Sequence, residues 1–181
     1  MKLKVFVLEN NSVKRTRHAE TQKAVRAYLG GDPKIKVEYD DKGKPSVVGT
    51  DKKWHISVTT TGTVMLVALA TQPVGIDGEY LPRFSAPDNK IDYVALAERF
   101  FSEDEADYIR DCNDPAERFV KVWTRKEAYV KCAGKTLVDF PSFSVVEGDK
   151  LVNKLRGVPI KKFGITFPGS EEYLFVIAGV E

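Results

Sequence analysis

The stretch from Asp114 to Gly134 does more than any other to limit what this chain can fold into. Its start, Asp114-Pro115-Ala116-Glu117, has the parts of a helix N-terminus. Asp114 can cap free backbone N–H groups, Pro115 sits where a missing N–H costs nothing, and Glu117 can reach back. The helix is predicted to run from Pro115 to about Ala133 and to stop at Gly134. Phe119, Trp123, Glu127 and Lys131 recur every four residues and form one stripe along it. That stripe is aromatic at one end and charged at the other, unlike a plain core face. The aromatic end can anchor the helix while the charged end opens into a cleft. The bland alternative is a solvated Glu–Lys pair worth only a few tenths of a kcal/mol, roughly.

A second motif, Gly75-Ile76-Asp77-Gly78-Glu79, lies about fifty residues earlier. It is predicted to be a strand, so Asp77 and Glu79 fall on one face. Val74 and Ile76 are strongly apolar, which argues that the strand is buried. Two carboxylates on such a strand are costly unless a cation meets them. A hard divalent ion would do so, because magnesium combines one or two carboxylates with substrate phosphates and water. Taken alone, an Asp-x-Glu is more often a strand end emerging into solvent. Paired with Glu127 and Lys131, it points to phosphoryl-type transfer.

The remaining sequence supplies a scaffold. Strands are predicted at Lys2–Leu8, Ile35–Tyr39, Trp54–Thr59, Val64–Leu69, Phe143–Val146 and Tyr173–Gly179. A helix is predicted from about Lys14 to Leu29, and Ser102 with Glu105 forms a capping box for another. Each half has a long helix, a Gly-Lys turn (Gly43-Lys44, Gly134-Lys135) and then strands. That faint echo hints at two similar lobes, residues 1–80 and 81–181, forming one compact unit. The net charge of +2 gives no argument for nucleic acid, although the N-terminal stretch is basic and residues 103–117 are acidic. Cys112 and Cys132 are the only cysteines and form no metal-binding array. No apolar run reaches the ~18 residues of a membrane span, and Met1–Leu8 lacks a secretory h-region. The expected location is the cytoplasm.

Read in order, these pieces resemble the 4′-phosphopantetheinyl transferase superfamily, in particular its larger, surfactin-synthetase-activating type. The resemblance rests on Gly43-Lys44-Pro45, Ile56-Ser57, Val74-Gly75-Ile76-Asp77-Gly78-Glu79, Phe100-Phe101-Ser102 with Glu105, Trp123 through Lys131, and Gly134-Lys135-Thr136-Leu137. It runs from about residue 15 to 146, and Phe143-Ser144-Val145 matches the strand that follows. It implies an α+β fold, a pseudo-dimer of two similar lobes, each a long helix packed on a small antiparallel sheet, with coenzyme A bound between them. The implied enzyme is a holo-[acyl-carrier-protein] synthase. It moves the phosphopantetheine arm of coenzyme A to a serine of an acyl or peptidyl carrier protein and releases adenosine 3′,5′-bisphosphate. The implied metal ligands are Asp77, Glu79 and Glu127, holding Mg2+ or alternatively Mn2+. Glu127 and Lys131 are the implied catalytic pair, as base and phosphate contact. Arg17, His18, Lys44 and Ser57, with Lys131, are implied to hold coenzyme A. The protein is expected to act as a monomer, without nucleic acid or membrane.

Two departures stand out. Val58 and Thr59 follow Ile56-Ser57 where the family has His and Ser, and valine cannot bond a phosphate. Thr136 replaces the second glycine of the Gly-Lys-Gly-Leu turn. Two other readings stay open on the residues alone. One is a non-catalytic module that binds coenzyme A or a carrier protein. The other is a metal-dependent nucleotide pyrophosphatase.

Overall fold

Alternating apolar residues near both ends of the chain build two antiparallel sheets that stack face to face. The computed structural model describes all residues, Met1–Glu181. In the first sheet, β1 (Leu3–Glu9) and β4 (His55–Thr61) flank β5 (Val64–Ala70), which is buried at every position. The predicted hairpin between the last two is present, running from His55 opposite Ala70 to Thr61 opposite Val64. A two-stranded ribbon, β2 (Lys36–Tyr39) with β3 (Pro45–Val48), lies beside it. The second sheet has the order β6 (Gly75–Tyr80), β11 (Tyr173–Ala178), β10 (Val158–Lys162) and β9 (Lys154–Leu155). Thus β6, which a division at residue 80 leaves with the N-terminal lobe, pairs along its length with the last strand of the chain.

β11 separates the two main cores by its own alternation. Tyr173, Phe175 and Ile177 pack with Val64, Leu66 and Ala68 of the first sheet. Leu174, Val176 and Ala178 join the helices on the other side. Each buried Val, Leu, Ile or Phe among them contributes about 1.5–3 kcal/mol. Helix α1 (Lys14–Tyr28) covers the outer face of the first sheet, setting Val25 among Ile56, Met65, Val67 and Leu69. The layers therefore run helix, sheet, sheet, helix, all strand pairs being antiparallel, in an α+β fold.

The outer helix of the second sheet is α4 (Pro115–Ala133). It begins and ends where its caps predict. Asp114 accepts from the Glu117 N–H, and Gly134 closes the helix in the left-handed region at φ 67°. Helix α3 (Glu103–Arg110) starts with the predicted capping box of Ser102 and Glu105. Helix α2 (Tyr93–Phe100) is not among the predicted elements; Asp92 caps it through the N–H groups of Val94 and Ala95. No helix is long and apolar enough to cross a membrane.

The predicted strand at Phe143–Val146 is corrected to a two-residue piece, β7 (Val146–Glu147), paired with β8 (Lys150–Leu151) and preceded by a 3-10 turn at Leu137–Ser142. The backbone groups that a longer strand would need are already bonded to side chains. The Phe143 carbonyl accepts from Lys126 Nζ (2.7 Å), and the Val145 N–H donates to Glu105 Oε1 (2.7 Å).

Candidate active site

Gly75 lets β6 lie against α4. A Cβ built there would stand 1.9 Å from the Ala128 carbonyl oxygen, so only glycine allows the strand and helix backbones this close. The same face of β6 carries Asp77 and Glu79, which therefore point toward the helix. Lys131, from the charged end of the α4 stripe, donates to Asp77 Oδ1 (2.7 Å) and to the Ile76 carbonyl (3.3 Å). Its ammonium is also 3.8 Å from Glu127 Oε2. Two carboxylates from distant parts of the sequence thus meet one cation. Glu79 pairs instead with Arg83, at 3.3 Å, in the 3-10 turn Leu81–Arg83 that follows β6.

The three acids feel one another. Burial raises the Glu79 carboxyl to about 7, and the charges of Asp77 and Glu127 push the same way, against Arg83 and Lys131. Burial also raises Glu127, helped by Asp77 and opposed by Lys131. Asp77 Oδ2 is buried and has no hydrogen-bond partner. Such an oxygen is costly unless a cation reaches it.

That orphan oxygen is the test of fit for a divalent ion, and the donor set passes it in a limited form. No group of three His, Cys, Asp or Glu side chains is close enough to hold an ion unaided. Asp77, Glu79 and Glu127 therefore do not form a closed cage. One bare carboxylate oxygen with two acids nearby suits an ion whose other ligands are water and phosphate.

Lys131 also lines a cleft of about 430 Å3, with Lys44 and Ser57 among its walls. Lys42 and Lys135 add positive charge there, beside the one acid Asp40, and neither is among the site residues expected from the sequence. Ser57 Oγ accepts the Ile76 N–H (3.0 Å), which leaves its own hydrogen free to donate. The left-handed Gly134 and the turn at Gly43 bring Lys44 to the C-terminal end of α4, where the last carbonyls favour a cation. Val58 contributes an apolar wall to this cleft.

Arg17 and His18 line a smaller adjoining hollow of about 170 Å3, which shares Gly43, Pro45 and Val58 with the main cleft. There His18 stacks on Tyr39 with ring centres 3.6 Å apart and an angle of 6°. Arg17 donates to the carbonyls of Asn11 (2.5 Å) and Ser12 (3.1 Å). On the other flank, the aromatic end of the α4 stripe forms a groove of about 590 Å3 from Phe84, Ile91, Tyr93, Phe100, Phe119 and Trp123.

Two further groups shape the site. Thr59 Oγ1 donates to Asp77 Oδ1 (3.0 Å). Lys126, next to Glu127 in α4, is completely buried, pairs with Glu105 at 2.5 Å and lies 4.1 Å from the centre of the Phe143 ring. Burial lowers its pKa, and Glu105 opposes that shift. The alternation Ser57, Thr59, Thr61 is the sequence signal that points to Thr59. Glu105 offers no such signal for Lys126, because its capping role already accounts for it.

The family model of the 4′-phosphopantetheinyl transferase superfamily matches residues 73–174, more than half of the chain and a span that contains Asp77, Glu79, Glu127 and Lys131. The chain belongs to this superfamily. It is similar to the 4′-phosphopantetheinyl transferase psf-1 of Bacillus pumilus, with 38% identity over 54% of this chain and 39% of that protein. Similarity to HetI of Nostoc sp. is 30% identity over 73% of this chain and 56% of the relative. For Sfp of Bacillus subtilis it is 29% identity over 66% and 51%. The matches with these phosphopantetheinyl transferases cover between two fifths and somewhat over half of the relatives' length.

Proposed function

We propose that this chain transfers the 4′-phosphopantetheine arm of coenzyme A to a serine of an apo acyl or peptidyl carrier protein, in the cytoplasm and with a divalent ion. The observation that carries the reading is the meeting of Asp77 and Glu127 at Lys131, in the wall of a cationic cleft. In this reading Lys44 and Lys131 take coenzyme A phosphates, Ser57 donates its free hydroxyl hydrogen, and Arg17 and His18 serve the adjoining hollow. Asp77 Oδ2, with Glu79 and Glu127, would hold Mg2+ or Mn2+. Such an ion supplies charge neutralisation on the pyrophosphate as its bridging bond breaks.

The protein groups supply the rest. Burial makes the Glu127 carboxylate more basic than a free one, against the pull of Lys131, and so suits it to accept a proton. It takes the proton of the carrier serine, whose oxygen bonds to the phosphorus on the pantetheine side. The bond from that phosphorus to the bridging oxygen breaks, and adenosine 3′,5′-bisphosphate leaves. Lys131 stays on a phosphate oxygen as a compact positive charge. The apolar groove beside Trp123 lies one turn of α4 from Glu127 and offers the carrier's apolar side chains a place to dock.

The test is to mix the protein with coenzyme A, magnesium and a panel of apo carriers, and to weigh the carriers by mass spectrometry. The expected result is a gain of one phosphopantetheine. Asp77→Asn and Glu127→Gln should each lower the rate by about 10²-fold or more while circular dichroism is unchanged. Near-parent rates in either variant would overturn the site. Coenzyme A binding with no transfer to any carrier would favour a binding module.

A further inference from the structure

The side chains of Ser57, Thr59 and Thr61 all leave β4 on the side facing β6, and two of them do the same task. Ser57 Oγ accepts the Ile76 N–H at 3.0 Å, and Thr61 Oγ1 accepts the Tyr80 N–H at 2.7 Å. By that spacing the middle hydroxyl would meet Gly78. Instead Thr59 Oγ1 turns to Asp77 and donates to Oδ1 at 3.0 Å. Lys131 donates to the same oxygen at 2.7 Å. Both donors of this carboxylate are therefore on Oδ1, and Oδ2 is left buried and bare. Thr59 is 7% exposed and Asp77 5%, so water does not readily replace either contact.

We infer that Thr59 is a positioning residue, which fixes the rotation of the Asp77 carboxylate so that Oδ2 is the oxygen presented to a divalent cation. This rests on the metal-dependent reading of the site above. A carboxylate held by one donor alone can turn about its terminal bond and offer either oxygen. A second donor on Oδ1, from a different element, removes that freedom. Outer hydrogen bonds of this kind typically change metal affinity by about 10–100-fold.

The probe is Mn2+ in the presence of coenzyme A, with free ion measured by electron paramagnetic resonance and thermal unfolding recorded alongside. Thr59→Val keeps the shape and removes the hydroxyl, and should weaken Mn2+ binding by about tenfold. Thr59→Ser restores the donor and should stay within about twofold of the parent. Thr61→Val removes a sister hydroxyl that bonds only backbone; it should lower the unfolding midpoint and leave Mn2+ affinity as it was. Should Thr59→Val not fold, Thr59→Ala takes its place against the same serine control. If the parent binds Mn2+ and the hydroxyl-free variants bind it equally well, the positioning role is wrong while the metal reading survives. A serine variant as weak as the valine one would also overturn it, since shape rather than the hydroxyl would then matter. No Mn2+ binding by the parent would remove both readings at once.

Discussion

Glu79 sets the acid–base behaviour of the site. Its carboxyl rises to about 7 through burial first, then through the neighbouring Asp77 and Glu127 charges. The unfolded chain holds that carboxyl near the ordinary glutamate value of 4.5. Between these two values the folded protein therefore binds the extra proton. Stability without metal should be greatest at low pH in this window and fall as pH rises through it. Thermal melts of metal-free protein from pH 4.5 to 7 are expected to show this fall, and Glu79→Gln should flatten it. Adding a divalent ion should reverse the trend, because the ion needs the ionised carboxylate. A metal-free stability that climbs with pH, and does so through Glu79, would contradict the burial of that group. Lys44 gives the matching test on the ligand side. Lys44→Ala should raise KM for coenzyme A by about tenfold, the loss of one charged hydrogen bond. An equal fall in kcat would place Lys44 at the reacting phosphate instead.

Among the elements, the junction of β6 with α4 decides whether the acids meet at all. Gly75→Ala would drive a methyl into the Ala128 carbonyl and the Cys132 N–H, both backbone atoms that cannot swing aside. A loss of about 3 kcal/mol in chemical denaturation is expected, with weaker Mn2+ binding as the two elements part. The α3–α4 contact depends on the buried Lys126–Glu105 pair. Removing one partner, as in Lys126→Met, leaves an uncompensated buried charge and should cost about 3–5 kcal/mol. The double variant with Glu105→Gln should cost less than the two single changes summed. These two junctions differ in how far the sequence discloses them. The caps of α4 are local, so Asp114, Pro115 and Gly134 announce both of its ends. The alternation of β6 likewise places Asp77 and Glu79 on one face. The Lys126–Glu105 pair joins residues with no periodic relation, and Glu105 already has a local explanation in its capping box. The strand expected at Phe143–Val146 fails for the same reason. Its apolar pattern is real, but its backbone is claimed by side chains from two helices.

Over the whole molecule, charge and apolar surface are separated by α4. The cationic cleft with Lys42, Lys44, Lys131 and Lys135 lies at the helix C-terminus, and the aromatic groove lies toward its N-terminal half. In the proposed reaction the nucleotide and the carrier would therefore meet α4 on either side of Glu127. Raising ionic strength should weaken coenzyme A binding, because the lysines of the cleft are partly exposed and screened by salt. Titration calorimetry at rising sodium chloride is expected to record this, and an affinity indifferent to salt would argue against a cleft that binds by charge.

The join between the two sheets has a consequence of its own. No main-chain ladder links β4 to β6; hydroxyl groups bridge them instead. A backbone ladder is indifferent to side-chain identity, whereas this bridge is written in three codons. An exchange at Thr61, whose hydroxyl meets only the Tyr80 N–H, can loosen or tilt one sheet against its neighbour without touching a carboxylate. The width of the crevice is thereby open to gradual tuning while its chemistry stays fixed.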